Sequence, residues 1–173
     1  NPWGQQIWIY SSTGQSISAW GPGDNDEDLN QPNGVAADQS GSILVVDGGH
    51  SLIKKFSSNG DFISKIGGFG SGDDQFLSPT GIATATSGNF YVVDNANARI
   101  QKFDSDGRFV TKWGNEGSND GEFNYPQAIA VDESENVYVV DFRNHRIQKF
   151  TSDGQFITKW GTMGSENGQL CYP

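Results

Sequence analysis

The sequence predicts an all-β chain made of repeated four-stranded antiparallel units, and three observations carry that prediction. Pro32, Pro79, Pro126 and Pro173 stand at equal intervals of 47 residues. Asp47, Asp94 and Asp141 keep the same step, as do Phe56, Phe103 and Phe150, then Gly60, Gly107 and Gly154. A period of this length marks a repeat architecture with one supersecondary unit per repeat. Within each period, four short apolar or alternating runs are separated by Gly, Asp, Asn and Ser, the residues of tight turns.

The unit that starts at Pro126 shows each element in order. Ala128-Ile129-Ala130-Val131 is an apolar run too short for a helix and reads as a buried strand. Asp132 to Asn136 is a polar turn, and Val137-Tyr138-Val139-Val140 is a second strand rich in β-branched and aromatic residues. Asp141 to His145 is a loop. Arg146 to Phe150 alternates apolar and polar side chains, as a half-exposed strand does. Ser152-Asp153-Gly154 is a hairpin turn whose glycine supplies a positive φ, and Gln155 to Trp160 is the fourth strand. A Gly-rich connection then runs to Pro173. Four short strands without a helix, graded from an apolar first strand to Lys-bearing third and fourth strands, describe the blade of a β-propeller. A leucine-rich-repeat solenoid fits less well, because its repeats are shorter and dominated by leucine.

Carried to the N-terminus with a one-residue shift, the period matches Ile7–Tyr10 to a third strand and Ile17–Trp20 to a fourth. The expected division of the single domain 1–173 is an outer half-blade at 1–21, blades at 22–67, 68–114 and 115–161, and a connector to a next blade at 162–173. Three and a half blades do not close a ring. Excision from a longer propeller is the preferred reading, with self-association of a short chain as the alternative. Simple strand exchange between two copies fails unless Asn1-Pro2-Trp3-Gly4 is a shortened blade opening.

The residues resemble NHL repeats. The likeness rests on Asn144-His145-Arg146-Ile147 after Asp141, and on the openings Pro32-Asn33-Gly34-Val35-Ala36 and Pro79-Thr80-Gly81-Ile82-Ala83. It covers essentially the whole chain. The triplet becomes Asn97-Ala98-Arg99 in the second unit and His50-Ser51-Leu52 in the first, and Ala85 stands where Asp38 and Asp132 close the inner strand. The resemblance implies a ring usually of six blades. It also brings three functional classes: protein-interaction scaffolds, the RNA-binding propellers of tripartite-motif proteins, and lyases or hydrolases that hold a metal with channel histidines and carboxylates.

Composition narrows these. The formal charge is −10, from 21 acidic and 11 basic residues, which argues against broad phosphate binding. The single Cys171 excludes an intramolecular disulfide framework, and no apolar run has the length of a membrane span. Neither points to a compartment. On a propeller, the fourth-to-first connectors and second-to-third loops share one face, which here collects Asp24, Asp26, Glu27, Asp28, Asp73, Asp74, Glu116, Asp120, Glu122 and Glu166. Only Arg99, Arg143 and Arg146 are expected to answer them, with the lysines and Arg108 toward the outer rim. The face is either a solvated rim or a docking surface for a basic partner or cation.

Individual candidates follow. Asp47, Asp94 and Asp141 are expected to accept hydrogen bonds from the loop that follows each, in preference to binding a cation. Like Pro32, Pro79 and Pro126, they are taken as structural repeat positions. Asp24-Asn25-Asp26-Glu27-Asp28 resembles the start of a calcium loop but lacks its glycine and its bidentate glutamate. His50 and His145 have no sequence-adjacent partners for a zinc site or a nucleophilic triad. Trp20, Trp113 and Trp160 share a core position with Ile66. Phe142 and Arg143 are bulky where Asn95-Ala96 and Gly48-Gly49 are smaller, so Phe142, Arg143 and His145, with His50 and Asn95, are the binding candidates. The expectation is a non-catalytic interaction module without a cofactor, metal or catalytic residue. Its partners would be proteins or further blades, with RNA less favoured and no membrane.

Overall fold

The structure is a computed structural model, and it describes residues 6–20 and 28–173. Its strands are β1 (Ile7–Tyr10), β2 (Ser16–Trp20), β3 (Pro32–Ala37), β4 (Ile43–Asp47), β5 (Leu52–Phe56), β6 (Phe62–Gly67) and β7 (Pro79–Thr84). They continue with β8 (Phe90–Asp94), β9 (Arg99–Phe103), β10 (Phe109–Trp113), β11 (Pro126–Val131), β12 (Val137–Asp141), β13 (Arg146–Phe150) and β14 (Phe156–Trp160). β1 and β2 form a two-stranded hairpin, while β3–β6, β7–β10 and β11–β14 form three four-stranded antiparallel meanders. These are the blades. The segments after Asp94 and Asp141, expected to be loops, each contain one turn of 3-10 helix, Asn95–Asn97 and Phe142–Asn144. Among the described residues no helix is long and apolar enough to cross a membrane.

Blades one and two are sheets buried on both faces, so their second strands are buried along their length rather than alternating. In β8, Phe90 and Val92 face blade one and join Leu44, Val46, Ile53, Phe76 and Phe103 in one core. Tyr91 and Val93 point the other way and join Ile100, Phe123, Val137, Val139 and Phe150 in the next. A third, smaller core of Leu29, Val45 and Phe56 receives Ile7 from the N-terminal hairpin. The period-two side-chain geometry of one strand thus glues three successive layers. Beyond blade three the pattern continues without a covering layer. Tyr138, Val140 and Ile147 are half-buried, whereas Leu44, Val46 and Ile53 in blade one and Tyr91, Val93 and Ile100 in blade two are buried. Trp160 is 45% exposed at the place where Trp113 packs between Tyr91 and Phe150.

Two glycine positions explain how closely blades approach. A Cβ on Gly34 would lie 2.6 Å from the carbonyl oxygen of Thr80, and one on Gly81 would lie 2.9 Å from that of Gln127. The Pro-x-Gly opening therefore lets neighbouring inner strands pack backbone to backbone. Side chains then stitch the seam: Thr80 Oγ1 donates to Gln127 O (2.8 Å), Thr84 Oγ1 to Ala37 O (2.7 Å), and Asn33 Nδ2 to Pro79 O (3.2 Å). In blade three the equivalent residue is Ala128, which carries the methyl group the other two seams exclude.

Candidate functional site: the loop and connector face

The loops that join second to third strands and the connectors that join successive blades meet on one face, and a buried aspartate anchors each meeting. Asp94 and Asp141 end β8 and β12 with no exposure. One carboxylate oxygen of each accepts a backbone N–H from the preceding connector, Leu77 (2.7 Å) or Asn124 (2.7 Å). The other oxygen of Asp94 accepts from Asn97 Nδ2 (2.8 Å), Arg99 Nε (2.7 Å) and Gln101 Nε2 (3.3 Å). Asp141 does the same with Asn144 (2.9 Å), Arg146 (2.6 Å) and Gln148 (3.1 Å). A buried carboxylate needs such pairing to remain ionised in a dry site. The aspartates thus bind both the following loop and the preceding connector.

The arginines do more than neutralise. The terminal nitrogens of Arg99 donate to the carbonyls of Ser71, Gly72 and Gln75, and those of Arg146 donate to Ser118, Asn119 and Glu122. Each guanidinium therefore fixes the connector that leads into its own blade. Blade one reaches the same end with different residues. Leu52 replaces the arginine, but Lys54, two residues further along the same strand face, puts Nζ 2.9 Å from Asp47, and His50 Nδ1 lies 2.9 Å from the same oxygen. Lys54 also donates to the carbonyl of Asp28. This corrects the expected charge map. Lys54 is buried rather than on the outer rim, and Lys112 and Lys159 reach back to Asp73 (2.7 Å) and Asp120 (2.5 Å). Lysines thus answer the connector carboxylates Asp73 and Asp120, while Arg99 and Arg146 answer the strand-end aspartates.

Among the described residues Arg143 answers no carboxylate; its guanidinium lies 3.6 Å from the centre of the Tyr125 ring. Phe142 and His145 converge on Tyr172, with ring centres 5.2 Å and 4.6 Å away, and the backbone N–H of Tyr172 donates to His145 Nδ1 (3.2 Å). Of the binding candidates, Phe142, Arg143 and His145 thus lie together on blade three. Asn95 sits apart, at the seam between blades two and three, with Nδ2 donating to Pro126 O (2.6 Å). His50 belongs to the Asp47 cluster and occupies the place of Asn97 and Asn144, not that of His145. Tyr125 and Tyr172 were missed by sequence reasoning, although both stand one residue before a proline of the 47-residue series, where Gln31 and Ser78 occur in the other units. All four residues adopt a left-handed backbone, with φ of 50 to 54°.

On this face and the opposite one, several carboxylates are held below their usual range by hydrogen bonds. Glu122 caps its connector by accepting from the backbone N–H of Asn119 (2.9 Å), which lowers its pKa. Glu135 accepts from Ser87 N (2.9 Å) across the seam between blades two and three, and its pKa is lowered first by the Ser87 side chain and then by that backbone contact. Asp132, bonded first by Asn136 and also by Tyr138, titrates at about 2. The Trp20 side chain and the Asp24–Glu27 part of the calcium-like run lie outside the described residues, as does Asn1–Gly4. Among the described residues, no three His, Cys, Asp or Glu side chains form a group that could hold a metal ion.

Stacked four-stranded meanders with inner strands side by side define a β-propeller. The family comparisons agree: an NHL repeat model matches residues 29–56, and a six-bladed β-propeller model, DUF5128, matches residues 82–162. The chain has a β-propeller fold and carries an NHL repeat at residues 29–56. No curated protein sequence matches it significantly. Among solved structures it is similar to a streptogramin B lyase, with a TM-score of 0.68 and 18% identity over 94% of this chain and 49% of that one. It is also similar to a catalytically inactive virginiamycin B lyase from Staphylococcus aureus with quinupristin, with a TM-score of 0.65 and 16% identity over 93% and 50%. A gluconolactonase from Xanthomonas campestris gives a TM-score of 0.65 and 17% identity over 88% and 54%. These likenesses concern the fold, and the chain spans about half the length of the structures it matches.

Proposed function

We propose that this chain is a non-catalytic protein-interaction module whose contact surface is the loop and connector face. The observation that carries the reading is the cluster at blade three. Phe142, His145 and Tyr172 pack ring against ring, and Arg143 stacks on Tyr125, while Tyr172 is 54% and Tyr125 47% exposed. Aromatic rings and arginine are the side chains that dominate binding hot spots. Phe142, Arg143, His145 and Tyr125 stand on a loop and a connector held by Asp141 and Arg146, so little order has to be imposed there on binding. The acidic connectors around them disfavour a polyphosphate backbone, which makes RNA binding the less supported reading.

Photo-crosslinking tests this directly. A photoreactive phenylalanine analogue placed at Phe142 should give discrete, protease-sensitive adducts in extracts of the native host. The same analogue at Asp106, on the opposite face, should not. Adducts removed by ribonuclease would overturn the reading in favour of RNA. Turnover of a lactone or a cyclic depsipeptide by the purified chain would overturn it in favour of an enzyme of the lactonase or lyase kind.

A further inference from the structure

We infer that the seam between blades two and three is a receptor for an arginine side chain of a partner protein, flanked by two apolar contacts. This rests on the interaction reading above and names the chemistry of the partner. The seam holds a pocket lined by Asn95, Ala96, Ala98, Glu116, Asn124 and Tyr125. Three features of it select a guanidinium.

Glu116 is the first. Three acids of this face are already engaged: Asp73 and Asp120 pair with lysines, and Glu122 caps its own connector. Among the described residues the Glu116 carboxylate makes no hydrogen bond and no ion pair, and it stands at the wall of the pocket. Asn95 is the second. Its Nδ2 is committed to the carbonyl of Pro126, so its amide oxygen is left as an acceptor. A carboxylate and an amide oxygen together match a planar cation with several N–H donors better than a point-charged ammonium. Arg143 is the third, because a guanidinium already rests on Tyr125 at the pocket rim and shows that this ring accepts one.

The apolar flanks come from the repeat itself. Glu116 is bridged to Phe123 just as Phe69 is to Phe76 and Met163 to Leu170, so the three side chains occupy the same point of three equivalent connectors. Phe69 is 77% and Met163 65% exposed. A row of apolar, acidic and apolar positions thus runs across the face. Its complement is a partner segment that carries an arginine between two apolar side chains.

The test uses the full chain and fluorescein-labelled nonapeptides of Gly and Ser with leucine near each end and arginine, citrulline or glutamate at the centre. Citrulline keeps the shape of arginine and removes its charge. Fluorescence polarisation should show the arginine probe binding about fivefold more tightly than the citrulline probe, the range of an exposed pair reinforced by a directed hydrogen bond. Glu116→Gln should erase that preference, and Glu133→Gln, on the opposite face, should keep it. Equal binding of the arginine and citrulline probes, an undiminished preference in Glu116→Gln, or no saturable binding at millimolar peptide would each overturn the inference. So would displacement of the arginine probe by a single-stranded RNA oligonucleotide at moderate salt. Protein adducts at position 142 that persist in Glu116→Gln, with no arginine preference, would sink this inference and leave the interaction reading standing.

Discussion

Arg99→Leu isolates the interaction on which the loop face is built. Asp94 is fully buried, and among the described residues Arg99 is the only cation bonded to it. Removing one partner of a buried pair costs about 3–5 kcal/mol, because the remaining charge is neither solvated nor matched. The three connector carbonyls that Arg99 bonds sit near solvent, so their loss adds about 0.5–1.5 kcal/mol each at most. Against a total of about 5–15 kcal/mol for a domain, this variant should be close to unfolding. Blade one supplies the rescue, since it pairs its aspartate through Leu52 and Lys54 in place of arginine and glutamine. Arg99→Leu/Gln101→Lys should therefore recover about 2–3 kcal/mol, the pair without the connector bonds. Urea titration followed by tryptophan fluorescence reads both numbers. If Gln101→Lys adds to the loss, or leaves it unchanged, the argument that each blade needs one cation at its aspartate, from either strand position, is wrong.

Three further outcomes follow from the same geometry. Gly34→Ala places a methyl 2.6 Å from a backbone oxygen and should cost about 1–3 kcal/mol, lowering Tm by several degrees, whereas Ala128→Gly should cost under ~1 kcal/mol; equal shifts in calorimetry would refute the seam account. Asp132 titrates at about 2 in the folded chain against an ordinary 3.8, so its stabilisation is complete above pH 3.8 and is lost as pH falls through 2. Asp132→Asn should be less stable at neutral pH and show a shallower loss between those values in an acid titration by circular dichroism. Trp160→Ser should reduce concentration-dependent association in sedimentation, because it removes the largest exposed apolar group on the uncovered side of blade three.

Most of the architecture was legible because it follows from local patterns. The strand runs and the turn glycines each act within a few residues, and they announce four-stranded antiparallel sheets. What escaped were pairings made across the repeat. Gly154 reads as a turn residue, yet a Cβ there would also lie 2.5 Å from Trp113 of the preceding blade, so it answers to two constraints at once. Lys54 reads as a surface lysine because its strand alternates, and only the absence of arginine at Leu52 signals that it must turn inward to Asp47. In the candidate site, Phe142 stood out as a bulky departure from its equivalents. Its companion Tyr172 did not, because the two are distant in sequence and meet only when the connector folds back over the loop.

Hydrogen exchange with and without a captured protein partner tests the central claim most directly, that the loop and connector face is the contact surface. Protection is expected in segments 115–126, 142–145 and 162–172, with the opposite-face turns 38–42, 104–108 and 132–136 unchanged. Protection confined to those turns, or to the inner strands β3, β7 and β11, would contradict it.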